Sequence, residues 1–359
     1  MKKFLACAPA VCLAGEDYWI LLNTAVPGVC TLFVDGVEYA QDCAGVLHSN
    51  RKYFKIRIPS DVLDRARAYT VSFRATIERK SYYSLLGEEE RIDFTFRPVG
   101  RRRSLRTFYL ADIHERFEDA LRAVRNAGSR PDLYIVNGDL SEFNTEEDFD
   151  RAFDFLGRLA GGKTPILFGR GNHDTRGTMA EEVAERFPTV DGNFYFTFTV
   201  GPFCGVVLDC GEDKWDAGVE YGGVNRFEAY RRRELEYLRR LKLPRGKIPF
   251  AVSHICPVLT TDTRNPLFDI EREVYTEWNR ELERLGIRFM LTGHLHKAFL
   301  LAPEDPLSIL PHAYPVLVCS QMTMKGELYG TLLTLTKNSL TATLSGSEGT
   351  TRELAKLDL

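Results

Sequence analysis

The chain has 359 residues, 44% hydrophobic and 27% charged, which excludes wholesale disorder and a multi-span membrane protein. Lys plus Arg is 47 and Asp plus Glu is 50, a formal net charge of -3, so no general basic surface for nucleic acid is expected. Eight cysteines without a CxxC pair exclude a zinc ribbon and a disulfide-dense scaffold.

Met1-Lys2-Lys3 followed by Phe4 to Gly15 has the outline of a short secretory signal. Pro9 interrupts the apolar stretch, and Tyr18 to Leu22 resume it. The same residues therefore read as a first β-strand at a sheet edge. The chain is expected in the cytoplasm with reduced cysteines, and secretion is the alternative. No stretch reaches the ~20 apolar residues that span a bilayer.

Residues 1–98 read as all-β. Asp17 to Asn23, Cys30 to Val34 and Lys52 to Ile58 are short apolar or alternating runs. Asp35-Gly36 is a hairpin signal, because a type I′ turn wants positive φ at both central residues. Asp61 to Ala66 fits one helical turn. Ala68 to Ile77 and Arg91 to Phe96 complete a small β-sandwich, fibronectin III-like in its strand count. Residues 99–104 form the expected linker. Its Arg101-Arg102-Arg103 run reads as an exposed turn, with a phosphate-attracting patch as the alternative.

From residue 105 strands alternate with helices. Strands are expected at Leu105–Ala111, Leu133–Val136, Pro165–Phe168, Phe194–Val200, Gly205–Leu208, Ile248–Ser253 and Ile287–Leu291. Helices are expected at Phe117–Asn126, Glu146–Leu159, Met179–Phe187, Arg226–Leu241 and Ile270–Leu285. Val316–Ser320, Leu328–Thr336 and Leu340–Leu344 are β again. This is an α/β domain over 105–359, with largely parallel strands covered by helices.

Five short motifs close five of these strands. They are Asp112-Ile113-His114, Gly138-Asp139, Gly171-Asn172-His173-Asp174, His254 and Gly293-His294-Leu295-His296. Five of the seven histidines thus sit at strand ends, where the loops of an open α/β sheet gather ligands. Singly, each is an ordinary turn or a surface histidine. Asp112 and His114 would share one side of an extended segment, as would His294 and His296. Independent turns have no reason to take these residue types in this order.

The ordered set DxH, GD, GNHD, H and GHxH resembles the calcineurin-like metallophosphoesterases over roughly Leu105 to Leu344. The resemblance implies an αββα sandwich holding two metal ions. It assigns one ion to Asp112, His114, Asp139 and His296. It assigns the other to Asp139, Asn172, His254 and His294, with Asp139 bridging. Nitrogen and oxygen ligands without thiolate suit Mn, Fe, Zn or Co. His173 would stand beside the scissile group as a charge stabiliser or proton donor, oriented by Asp174. Purple acid phosphatases carry a tyrosine three residues after the bridging aspartate. Here that position is Glu142, so an iron-tyrosinate site is not expected. The N-terminal block resembles the sandwich that precedes the catalytic domain of plant-type purple acid phosphatases.

Arg170 and Arg176 bracket the GNHD turn and are candidates to fork onto phosphate oxygens, against salt bridges as the plainer reading. Gly211 to Asn225 reads as a mobile rim loop. Its Trp215 and Tyr221 read as cover for the core sooner than as base stackers. Cys256 reads as a small buried thiol, and His312 as a residue that lines the cleft or does nothing. The sequence thus points to a two-metal phosphoesterase acting on small phosphomono- or phosphodiesters. A nuclease and a non-catalytic scaffold are the alternatives. Metal identity, substrate and oligomeric state are not legible.

Overall fold

The computed structural model describes residues 4–100, 104–258, 270–323 and 325–359. The arginine run 101–103 and the first three residues, which carried the linker and leader readings, lie outside them.

Two sheets lie face to face with helices outside them. In the first, Leu105–Leu110, Leu133–Asn137 and Pro165–Gly169 run parallel. Tyr329–Leu335, Ser339–Gly346 and Thr351–Asp358 extend one side antiparallel. The second sheet runs in the order Phe196–Val200, Phe203–Leu208, Ile248–Ser253, Met290–Thr292, Val316–Val318 and Phe299–Leu301.

Alternation along the strands builds three cores. Tyr109, Ile135 and Leu167 of the first sheet meet Val207, Val252, Leu291 and Leu317 of the second. Their sequence neighbours Phe108, Val136 and Phe168 point out, onto helices Phe117–Asn126 and Glu146–Ala160. Val206, Ala251, Met290 and Val316 point out on the other side, onto Leu238 of Phe227–Arg240 and Trp278 and Leu282 of Arg272–Arg284. Strands buried on both faces need the near-continuous apolar runs seen in the sequence. Each large side chain buried this way contributes roughly 1.5–3 kcal/mol. The αββα architecture expected from the motifs is therefore present.

Local signals fix the element ends. Thr145 and Asp148 form a reciprocal capping box at the start of Glu146–Ala160, and Gly161 ends that helix at φ 62°. Asp35 and Gly36 take φ 48° and 81°, the I′ turn read from the sequence.

The N-terminal block is hydrogen-bonded into the first sheet. Ala10–Ala14 pairs parallel with Pro165–Gly169 on one side and antiparallel with the following strand on the other. It is thus an interior strand, not the edge strand expected. The two runs 17–23 and 30–34 are one strand, Asp17–Val34. Its register against Arg51–Pro59 slips between Asn23 and Gly28, where Pro27 lacks a ladder donor. Met179–Phe187 is broken into a 3-10 turn, Ala180–Glu182, and one short helix, Val183–Arg186.

Candidate metal centre

All five motifs converge at the strand ends, on backbone that is locally strained. Twelve non-glycine residues among those described have positive φ, and Asp112 (54°), His114 (44°), Asp139 (52°), His294 (67°) and His296 (52°) are five of them. The sequence suggested extended DxH and GHxH segments. Instead the aspartates and histidines take the left-handed turns, and Asn172 is helical at φ -73°. A left-handed L-residue costs roughly 1–2 kcal/mol, tolerated where the surroundings over-determine it.

The motif glycines explain how the loops come so close. A Cβ on Gly138 (φ 81°) would collide with the backbone N and Cα of Gly171. A Cβ on Gly293 would stand 2.7 Å from Ala111 Cβ and 3.1 Å from Asp112 Oδ2. Gly138→Ala is therefore expected to destabilise the chain by about 3 kcal/mol or more, read as a lowered urea midpoint at unchanged m value. An unshifted midpoint would show that the loops have slack.

Asp112 is fully buried. Its two carboxylate oxygens accept the His294 backbone N–H at 2.9 and 3.0 Å, and Ser320 Oγ donates to Oδ2. Asp139 Oδ1 accepts the His173 backbone N–H at 2.9 Å, while Oδ2 stands 3.1 Å from His254 Nε2 and 3.8 Å from His114 Nε2. His254 Nδ1 donates to the Asn137 carbonyl at 2.6 Å, so Nε2 is left facing the carboxylate.

The remaining ligand atoms pair at short range. His114 Nε2 and His296 Nε2 are 3.2 Å apart, and His294 Nδ1 is 3.0 Å from Asn172 Oδ1. Asp112 Oδ1 lies 3.6 Å from His296 Nε2 and 3.7 Å from His254 Nε2. Atoms about 2.1 Å from one cation stand roughly 3–3.4 Å from each other in tetrahedral or cis arrangement. The three closest pairs fall in that band. His254 Nε2, buried, has no hydrogen-bond partner of its own. Asp112, His114 and His296 form one cluster with ligand atoms within 4.8 Å of one another, Asp139, His254 and His294 a second, and His114, Glu142 and His173 a third. The donor set fits divalent or trivalent metal ions.

Charge follows from this crowding. Burial alone would raise the Asp139 carboxyl, but His254 first, then His173 and His114, hold it well below the usual carboxylate range. Burial opposes the charge on His254 as well, yet Asp139 and then Asp112 push its pKa up to about 10. His294 is pulled down to about 3 by burial and by the neighbouring His254. Without an ion the centre thus already holds one cationic imidazole between two carboxylates.

Around the cluster the side chains differ from expectation. Asp174 does not meet the His173 ring. Its carboxylate accepts backbone N–H groups of Gly171 at 2.8 Å, Asp139 at 3.0 Å and Leu140 at 3.4 Å, bracing the two loops together. Burial, then the Asp139 charge, lifts its pKa to about 6. Glu142 is the carboxylate at the histidines, 3.0 Å from His114 Nδ1 and 3.1 Å from His173 Nδ1. Sequence reasoning used that position only as a missing tyrosine. Arg176 Nη1 reaches His173 Nε2 at 3.1 Å.

Both candidate arginine forks are occupied by carboxylates. Arg170 binds Asp209 at 2.6 Å and stacks over Phe194 at 4.5 Å. Arg176 pairs with Glu212 through two contacts of 2.7 Å. The signal available in the sequence was Asp209 and Glu212 just past a buried strand. Tyr221 donates to Glu212 at 3.0 Å, whereas Trp215 is exposed and covers no core. Cys256 is buried as expected. His312 lies in a separate groove with Ser308 and Asn279, its Nδ1 on the Tyr314 carbonyl at 2.7 Å. None of the eight cysteines, all among the described residues, forms a disulfide. No helix among the described residues is long and apolar enough to cross a membrane.

Comparison with known proteins agrees with this geometry. The family model of the calcineurin-like phosphoesterases matches residues 105–298. A mouse (Mus musculus) protein, serine/threonine-protein phosphatase CPPED1, is 24% identical over 189 residues, half of this chain and 58% of that protein. The chain therefore spans less than two thirds of that curated relative. Among solved structures, purple acid phosphatase PPD1 from yellow lupin (Lupinus luteus) superposes with a TM-score of 0.62 at 10% identity, over 98% of this chain and 74% of that one. PhoD gives 0.55 at 10% identity, over 98% and 92%. Both likenesses extend through the N-terminal strands, and at such identity they speak to fold alone. The motif order, the αββα layers and the family match together place the chain in the calcineurin-like phosphoesterase family, a family of phosphoric ester hydrolases.

Proposed function

We propose that the protein is a dinuclear metal-dependent phosphoesterase for small phosphomono- or phosphodiesters. The observation that carries this reading is the set of three ligand pairs, 3.2, 3.1 and 3.0 Å apart, on strained strand-end loops. Asp112, His114, Asp139 and His296 would hold one ion, and Asp139, Asn172, His254 and His294 the other. Bound there, two cations supply Lewis acidity and an activated water for in-line displacement at phosphorus.

The chain's own residues supply the rest. Glu142 holds Nδ1 of His173 through its backbone carbonyl at 3.2 Å with its carboxylate at 3.1 Å, and Arg176 Nη1 lies 3.1 and 3.4 Å from the two ring nitrogens. From Nε2 a proton would pass to the leaving oxygen. Arg176, kept rigid by Glu212, would present its remaining N–H edge to a phosphate oxygen. Asp174 would act on catalysis only through the loops it braces. Residues 1–98 would form an accessory β-domain built onto the catalytic sheet.

Metal analysis of the native protein, paired with rates on mono- and bis-nitrophenyl phosphate, tests the reading. About two ions per chain and chelator-sensitive hydrolysis of one or both esters are expected. Two bound ions with no turnover across a broad phosphoester panel would make the chain a scaffold. Faster cleavage of DNA or RNA than of either ester would make it a nuclease.

A further inference from the structure

Two loops reach the His173–Arg176 pair from outside the two proposed ligand sets. In the first, Glu142 touches the rings of His114 and His173. Two residues on, Asn144 holds the Arg176 carbonyl through its backbone N–H at 2.9 Å and its side-chain amide at 2.8 Å. Phe143 stands between them, 55% exposed.

The second loop, 211–225, is pinned at several points. Buried Glu212 binds Arg176 and accepts from Thr175 Oγ1 and Tyr221 OH, both at 3.0 Å. Asp213 lies 3.6 Å from Arg176 Nη2 and 3.8 Å from His294 Nε2. Asp216 accepts the first N–H groups of helix Phe227–Arg240, at 2.9 Å from Phe227 and 3.1 Å from Glu228. Even so the loop turns Trp215 to solvent at 40% exposure and Val219 at 95%. The rim loop expected to be mobile is tied down, and its apolar side chains remain outside. Trp215 is only two residues from Asp213, whose carboxylate lies 3.8 Å from His294 Nε2, so the indole sits on the loop that reaches the proposed centre.

An exposed indole on a braced loop beside a polar site is a surface for a ring. Charge narrows what the ring belongs to. Arg176 is paired with Glu212 and Asp213, and Lys214 with Asp213 and Glu220, so the cations at this rim are already compensated. Glu115 and Glu142 add further carboxylates on the other side of His114. An extended polyanion would set further charges against these carboxylates, whereas a single phosphoryl group seated at the proposed centre leaves only a neutral planar alcohol at the rim. We propose that Trp215, with Phe143 as a second wall, is a stacking rim that selects phosphoesters whose alcohol carries a planar ring, such as nucleoside or aryl esters. The proposal rests on the phosphoesterase reading of the same site.

The test separates stacking from chemistry. Adenosine 5′-monophosphate and glycerol 3-phosphate are both alkyl phosphates, so the ring is the main difference between them. In Trp215→Ala the KM for the nucleotide is expected to rise about 5- to 150-fold, with the KM for glycerol 3-phosphate within about twofold. Phe143→Ala should move the same ratio in the same direction. Adenosine alone should saturably quench tryptophan fluorescence in wild type and not in Trp215→Ala, because Trp278 is fully buried and Trp19 packs against the core with Lys55 over its ring. An unchanged KM ratio, or quenching that survives the substitution, overturns the rim. A short oligonucleotide that binds more tightly than the mononucleotide overturns the charge argument. If wild type hydrolyses neither ester but Trp215-dependent quenching is present, the rim stands and the phosphoesterase reading falls.

Discussion

Asp139→Asn is expected to lower metal-supported hydrolysis by about two to four orders of magnitude and to strip at least one ion from the purified protein. The side chain keeps its shape and one accepting oxygen, so the His173 backbone N–H, held at 2.9 Å, can remain paired. What is lost is the charge that three histidines surround. Removing one partner of a buried charged network costs about 3–5 kcal/mol, which is the size of the rate effect. The substitution also reverses a proton balance. In the metal-free protein Asp139 and Asp112 outweigh burial and keep His254 protonated up to about pH 10. Ion binding at pH 7–8 must therefore expel that proton, and falling pH weakens binding. In the variant the main opposing charge is gone, burial dominates, and His254 starts neutral. Calorimetry in two buffers of different ionisation enthalpy should find about one proton released on loading wild type, and fewer from the variant. Full activity of the variant with added manganese would remove Asp139 from the centre.

The clustering of these aspartates and histidines was legible because metal chemistry restricts residue type and the α/β sheet restricts place. The proposed centre draws only on aspartate, asparagine and histidine at strand ends, and a turn has no other reason to collect them. The glycines were legible as turn formers, but their actual work is different. Gly138 and Gly171 are back-to-back contacts between two loops far apart in sequence. No local pattern encodes that. Nor does one encode the backbone at Asp112 or His294, where left-handed turns replace the extended segments expected from i, i+2 spacing.

The other misses share a cause, which is satisfaction by a distant partner. Thr351–Asp358, with Glu, Leu, Ala and Lys, has helical propensity. It is a strand because Ser339–Gly346 offers it a ladder. Ala10–Ala14 read as an edge strand because nothing in its neighbours announces the parallel partner 165–169. Arg170 and Arg176 flank the GNHD turn as phosphate ligands would. Their forks were instead filled by Asp209 and Glu212, from the end of a different strand. Asp174 and Glu142 exchanged the roles that sequence adjacency suggested. Three residues from Asp139, Glu142 can lean over two imidazoles, while Asp174 folds back under its own loop.

That exchange sets up the second large effect. His173→Asn should retain both ions, since the His173 ring belongs to neither ligand cluster of the proposed pair. It should lower kcat about 10²–10⁴-fold, the usual contribution of a positioned proton donor. Glu142→Gln should lower it by about 10-fold, because the ring loses the carboxylate charge beside it while Nδ1 keeps the Glu142 carbonyl at 3.2 Å. Since Glu142 acts on the leaving group only through His173, the double variant should be little worse than His173→Asn alone. Leaving-group dependence supplies the decisive contrast. A nitrophenolate departs with little help, whereas an alkoxide must be protonated. The loss in both variants should therefore be larger on alkyl phosphates than on nitrophenyl phosphate. Equal losses on the two ester types would mean that His173 stabilises charge on phosphorus and moves no proton. A double variant whose losses multiply would mean that Glu142 works through His114, the other ring it touches at 3.0 Å, and metal affinity would then be the property that shifts.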